Sequence, residues 1–122
     1  MVVKRIEPHG AGAWENISLD GDETPPEYGS GQVRTIFQSE DGKVTIYLYR
    51  RDKDIGQLRA LKTATARTFH CDVLLDGAVT IVDENGHRTD AVTGEMLTYN
   101  GADEGRWLAD GPLLKLAISV EQ

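Results

Sequence analysis

From about Val33 onward, short runs rich in β-branched and aromatic residues alternate with turn-forming dipeptides. Residues 32–38 lead into Glu40-Asp41-Gly42-Lys43, where Asp-Gly is a strong signal for a tight turn, and residues 44–50 follow. Residues 57–62 alternate with period two, as a half-buried strand does. Residues 68–75 turn at Asp76-Gly77 into residues 79–83, and Glu84-Asn85-Gly86 leads on into residues 87–92. Thr93-Gly94-Glu95 closes that run, and residues 96–99, 106–108 and 113–120 complete the series. No window sustains a 3.6-residue apolar period, so the pattern predicts little helix.

Strands at such regular spacing predict an all-β domain, a sandwich or small barrel that pairs or closes its edges. The segment from about Pro8 to Gly31 breaks the pattern. It holds five glycines, the pair Pro25-Pro26 and the acids Asp20, Asp22, Glu23 and Glu27. We read residues 1–31 as an irregular N-terminal extension and residues 32–122 as the β domain, with Trp14 and Ile17 anchoring the extension by burial. At 122 residues the chain is long enough for a single hydrophobic core.

Charge narrows the function classes. Twenty acidic against thirteen basic residues leave a net of −7, which repels phosphate backbones and anionic lipid. Arg50-Arg51-Asp52-Lys53-Asp54 alternates in sign, as a solvated turn does, and no basic stripe offsets the acidity. The expectation is no nucleic-acid partner and no membrane partner. No apolar run approaches the ~20 residues that cross a bilayer, and the charged start Lys4-Arg5 does not suit a signal peptide. Cys71 is the sole cysteine, which suits a reducing interior, so the cytoplasm is the expected location.

The stretch Val73-Leu74-Leu75-Asp76-Gly77-Ala78-Val79-Thr80-Ile81-Val82-Asp83-Glu84-Asn85-Gly86 resembles a hairpin of the cupin superfamily. Thr93-Gly94-Glu95-Met96-Leu97 resembles the turn that follows it, and Arg106-Trp107 with Asp110-Gly111-Pro112 the closing strands. The likeness is to small single-domain (RmlC-like) cupins related to ureidoglycine aminohydrolase and to ethanolamine-utilisation proteins. It implies a double-stranded β-helix, or jelly-roll, barrel and a homodimer. Function does not follow from it, because the fold hosts many activities.

The family's metal motifs transfer poorly. Its first motif reads His-x-His, three or four residues, Glu, six residues, Gly. With the glycine on Gly77, the Glu position falls on His70, and the two His positions fall on Thr63 and Thr65, or on Ala64 and Ala66 with the shorter spacer. Anchoring the second motif on Gly94 puts its Pro-x-Gly on Asn100, Gly101 and Ala102 and its His on Gly105. A divalent-metal site needs several imidazole, carboxylate or thiolate donors converging at about 2 Å. One imidazole and two hydroxyls do not supply that, so the expectation is no metal and no cofactor.

His70 is then the most informative residue, implied to face the barrel mouth, with Asp72 two residues on along the same strand face. A carboxylate beside an imidazole can orient it and raise its charged fraction, as acid–base chemistry requires. The same pair also suits a polar patch in an emptied pocket. Cys71 must face the other side, so it forms no dyad with His70; with Val73 and Leu75 it is expected to make a buried apolar face. Thr63, Thr65, Tyr99, Asn100, Gly105 and Trp107 are candidate lining residues for a polar organic ligand, although Tyr99 and Trp107 could equally fill the interior. His9 and His87 are expected on the surface.

Three functions fit these residues. The first is a metal-independent cupin-like protein binding a small polar metabolite. The second is a metal-independent isomerase, lyase or hydrolase using His70 and Asp72. The third is a structural homodimer whose barrel is filled by side chains.

Overall fold

The computed structural model describes residues 1, 3, 5, 13–17, 31–51, 58–61, 68–83, 85–100, 106–109 and 111–121, with only the backbone given for 58–61 and 106. These residues form ten strands: β1 (Glu15–Ile17), β2 (Gly31–Gln38), β3 (Val44–Arg51), β4 (Leu58–Leu61), β5 (Thr68–Asp76), β6 (Ala78–Val82), β7 (Arg88–Val92), β8 (Met96–Asn100), β9 (Arg106–Ala109) and β10 (Leu113–Glu121). Among the described residues there is no helix long and apolar enough to cross a membrane. All nine expected strands form. β1 is an addition, lying within the segment read as irregular.

Two antiparallel sheets face one another. The six-stranded sheet runs β1-β2-β3-β10-β5-β8 and the four-stranded sheet β4-β9-β6-β7. The core is drawn from both: Tyr49, Leu74 and Leu113 on one side, Val79, Ala91, Trp107 and Ala109 on the other. Period-two alternation decides which side chains enter it. On β5, Thr68, His70, Asp72 and Leu74 are buried, while Phe69, Cys71 and Val73 are half-buried on the outer face. On β10 the inward set includes Leu113, Lys115 and Ala117.

The turn signals act as turns for local reasons. At residues 39–44, Ser39 Oγ donates to Asp41 Oδ1 at 2.7 Å, Lys43 N donates to the same oxygen at 3.0 Å and Val44 N donates to Ser39 Oγ at 2.9 Å. Gly77 has φ +108°, and a Cβ there would lie 2.4 Å from the Pro112 carbonyl oxygen, so glycine lets β5 and β6 pass close under the start of β10. A register shift between Leu114 and Lys115 on the β10–β5 ladder leaves Leu75 unpaired against β10.

The outer face of β5 corrects one expectation. Leu75 is 41% exposed, and Cys71 is half-buried rather than sealed in. The outer face of β5 is therefore a partly covered sheet surface, and the buried face belongs to the polar pair His70 and Asp72.

At the N-terminus, β1 pairs with β2 through Glu15↔Val33, Asn16↔Gln32 and Ile17↔Gly31. Ile17 packs against the core. Trp14, half-buried, lies under two guanidinium groups, Arg50 at 4.0 Å and Arg34 at 4.7 Å from its ring centre. Gln32 links the two, accepting from Arg50 Nε at 2.8 Å and donating to Asn16 Oδ1 at 3.0 Å.

Candidate functional site

Strand register brings the chemistry together. Across the six-stranded sheet, Tyr47 stands opposite Ala117, and Ala117 opposite Asp72. Next to that row, Ser119 stands opposite His70, and His70 opposite Tyr99. Lys115 on β10 is directly opposite Tyr49 and one inward step from Ala117. Because position 117 is an alanine, larger neighbours can converge on Asp72 from both sides. Trp107 enters from the facing sheet.

At the centre lies an ion pair. Lys115 Nζ is 3.5 Å from Asp72 Oδ2, with the two side chains 7% and 0% exposed. The same ammonium sits 3.0 Å from the centre of the Trp107 ring and 5.3 Å from that of Tyr49. His70 stacks on Tyr99 at 5.0 Å with the rings 12° apart, and Tyr99 meets Trp107 edge-on at 5.8 Å. Aromatic faces thus enclose one cation, one carboxylate and one imidazole.

Burial controls protonation here. It pushes Lys115 down to about 8, with the Asp72 charge opposing. It also lowers His70, against the pull of Asp72 and with the help of the Lys115 charge, which favours the neutral imidazole. The Tyr47 phenol is driven up to about 12 by burial first, then by the Asp72 and Tyr49 charges.

Hydrogen bonding at the site is incomplete. Neither ring nitrogen of His70 and neither carboxylate oxygen of Asp72 has a hydrogen-bond partner among the described residues. Asp72 Oδ2 is ion-paired with Lys115 at 3.5 Å, which leaves Asp72 Oδ1 and the two His70 nitrogens as buried polar atoms without a polar partner among the described residues.

The expected site residues divide accordingly. His70 and Asp72 share the inward face of β5; Tyr99 and Trp107 line the same interior. Asn100 does not join them: it follows Tyr99 on β8, points to the opposite face and is exposed. Thr63, Thr65 and Gly105, with Ala64 and Ala66, lie outside the described residues, as does His9. His87 is exposed. Lys115 was not singled out from sequence. The signal for Lys115 was a lone charge in Leu113-Leu114-Lys115-Leu116-Ala117-Ile118, at a position in phase with the buried residues.

The arrangement of strands and core matches known structures. KdgF from Halomonas sp. is similar at TM-score 0.67 and 13% identity, over 99% of this chain and 96% of that one. The fold is that of the cupins. A cupin superfamily protein from Desulfitobacterium hafniense matches at TM-score 0.57 and 15% identity over 74% of this chain and 76% of its own. The Clostridium difficile EutQ protein matches at TM-score 0.58 and 12% identity over 74% of this chain, which spans 61% of the EutQ chain. No protein-family model matches the sequence, and no curated protein matches it.

Cupin folds raise the question of a metal. Among the described residues no three His, Cys, Asp or Glu side chains gather as a metal would require. The carboxylate best placed to bind a cation already faces the Lys115 ammonium. Bringing a divalent ion beside that ammonium would set like charges within a few ångströms in a low-dielectric interior. The donors described here do not suit a divalent metal.

Proposed function

We propose that this cupin-fold protein works without a metal and binds a small polar metabolite inside its barrel. The observation that supports the reading is a buried polar cluster: both nitrogens of His70 and Asp72 Oδ1 lack a hydrogen-bond partner among the described residues, beside the Asp72 Oδ2 that faces Lys115 at 3.5 Å. An imidazole offers one donor and one acceptor, and a carboxylate offers acceptors only. A ligand rich in hydroxyl groups meets both needs, while the Trp107, Tyr99 and Tyr49 rings supply apolar area around it. A thermal-shift screen of sugars, hydroxy acids and amino acids tests this, with Asp72→Asn and His70→Ala beside the wild type. Stabilisation by a polyhydroxylated compound that both variants lose supports the reading; an unresponsive wild type refutes it.

A second reading, a metal-independent isomerase, lyase or hydrolase, is favoured by the neutral His70 two residues from Asp72. It requires that His70→Ala abolish turnover while ligand binding persists. The dimer implied by the family resemblance is also carried as a proposal. β1 and β8 stand at the two ends of the six-stranded order, where a second copy could add strands. Light scattering decides it.

A further inference from the structure

We propose that Lys115 captures a small hydroxylated aldehyde or ketone as a covalent iminium inside the barrel. The inference rests on the polar-ligand reading above and names its substrate class. Three features lead to it.

The first is the setting of the amine. Nζ is held between the Asp72 carboxylate at 3.5 Å and the Trp107 face at 3.0 Å, on a strand whose neighbouring inward residues are Leu113 and Ala117. An ammonium has three donors, and its polar partner among the described residues is this one carboxylate. Burial brings its titration to about 8, so the neutral, nucleophilic amine is far more abundant near pH 7 than on an ordinary exposed lysine.

The second is charge conservation. In the reaction the nitrogen lone pair forms a bond to the carbonyl carbon. Two of the three ammonium protons leave with the carbonyl oxygen as water, and the positive charge stays on nitrogen. Nothing is oxidised or reduced. Asp72 and the Trp107 ring, which now stabilise an ammonium at that point, stabilise an iminium there equally well.

The third is the proton path. Asp72 takes the first proton as the amine becomes free and returns it to the carbonyl oxygen as the carbinolamine forms, so it is again a carboxylate beside the iminium. The intermediate carbinolamine then needs a proton on its departing hydroxyl, and a neutral imidazole with both nitrogens unbonded can pass one. Hydroxyl groups on the ligand bond the remaining atoms of His70 and Asp72. One buried cation balanced by one buried anion favours a neutral hydroxy-carbonyl compound over a charged oxo acid.

The test treats the full chain with glyceraldehyde or dihydroxyacetone and sodium cyanoborohydride near neutral pH, then maps modified lysines by peptide mass spectrometry. Lys43, which is exposed, serves as the internal reference. The expected result is modification of Lys115 in roughly tenfold excess or more over Lys43, as its more abundant neutral amine implies. Lys115→Arg keeps a cation beside Asp72 but cannot form the iminium, so its excess disappears while circular dichroism stays unchanged. Should that variant not fold, the Lys115 to Lys43 ratio in the wild type decides alone. A thermal shift with the same trioses, without reductant, separates the two readings. Stabilisation with no excess at Lys115 overturns the iminium and leaves the polar-ligand reading standing. Neither stabilisation nor excess overturns the iminium and counts against hydroxylated ligands as well.

Discussion

Lys115 Nζ rests 3.0 Å above the centre of the Trp107 indole, and this contact ties the two sheets together through a charge. A cation over a desolvated indole contributes about 2 kcal/mol. Yet the cation also needs Asp72, because burying an unpaired ammonium costs several kcal/mol. The interior is therefore held by a mutually dependent trio of residues.

That dependence is measurable. Asp72→Leu leaves Lys115 buried without a counter-charge, and Lys115→Met leaves Asp72 in the same state. Each single change should destabilise the fold by about 3 kcal/mol or more. The double change Asp72→Leu with Lys115→Met, which removes both charges, should recover most of that loss. Urea denaturation of the wild type, the singles and the double gives the comparison. Losses in the double that equal the sum of the singles would show that the two charges do not depend on one another.

The glycine at the β5–β6 turn gives a second prediction. Gly77→Ala would place a Cβ 2.4 Å from the Pro112 carbonyl oxygen at a φ of +108°. Backbone is on one side and backbone on the other, so neither can yield cheaply. A loss of about 2 kcal/mol or more is expected. Gly86→Ala, at φ +80° with nothing within 4 Å, should lose only about 1 kcal/mol. Thermal melts of the two variants distinguish the steric part from the backbone part.

What could be read from sequence follows the physics of each segment. Residues such as Val44 to Tyr49 and Leu113 to Val120 announce strands because β-branched and aromatic side chains suit a pleated, half-buried surface. Period two then placed His70 and Asp72 on one face and Cys71 on the other. Glu15–Ile17 could not be read in this way, since three residues carry no alternation and the strand exists through its partners Gly31 to Val33. Asn100 was misplaced by motif alignment, which counts residues and ignores which face a strand position presents. Lys115 went unremarked for a different reason. Its role depends on Asp72, forty-three positions away in sequence, and only the β5–β10 register brings them together.

The N-terminal strand offers a third prediction. Trp14 bears Arg50 and Arg34 on its ring, and a surface cation–π contact contributes about 0.5–1 kcal/mol. Trp14→Ala should therefore loosen β1 without unfolding the barrel. Hydrogen exchange should speed up at Glu15–Ile17 and stay slow on β5 and β10. Equal acceleration in all three strands would mean that the Trp14 clamp belongs to the core.

The last prediction concerns pH. Burial sets Lys115 near 8 in the folded protein against 10.5 for an ordinary lysine. Between those values the unfolded chain holds a proton that the native state lacks. Stability contributed by this group therefore rises with pH across about 8 to 10.5, with a limiting slope of about 1.4 kcal/mol per pH unit. Lys115→Met removes the group, so the difference between wild-type and variant stability curves isolates that slope. Tyr47, raised to about 12, works in the opposite sense above pH 10, where the unfolded phenol gives up its proton first, and Tyr47→Phe removes that decline. His70, lowered by burial, acts at the acid end: below about 6.5 the unfolded chain takes up a proton that the native imidazole resists, and stability falls. Trp107 fluorescence should report the central event, because the ammonium on its face loses its charge near pH 8. With Trp14→Phe as background, an emission change centred there that vanishes in Lys115→Met is the expected result, and a flat response would place the lysine charge elsewhere.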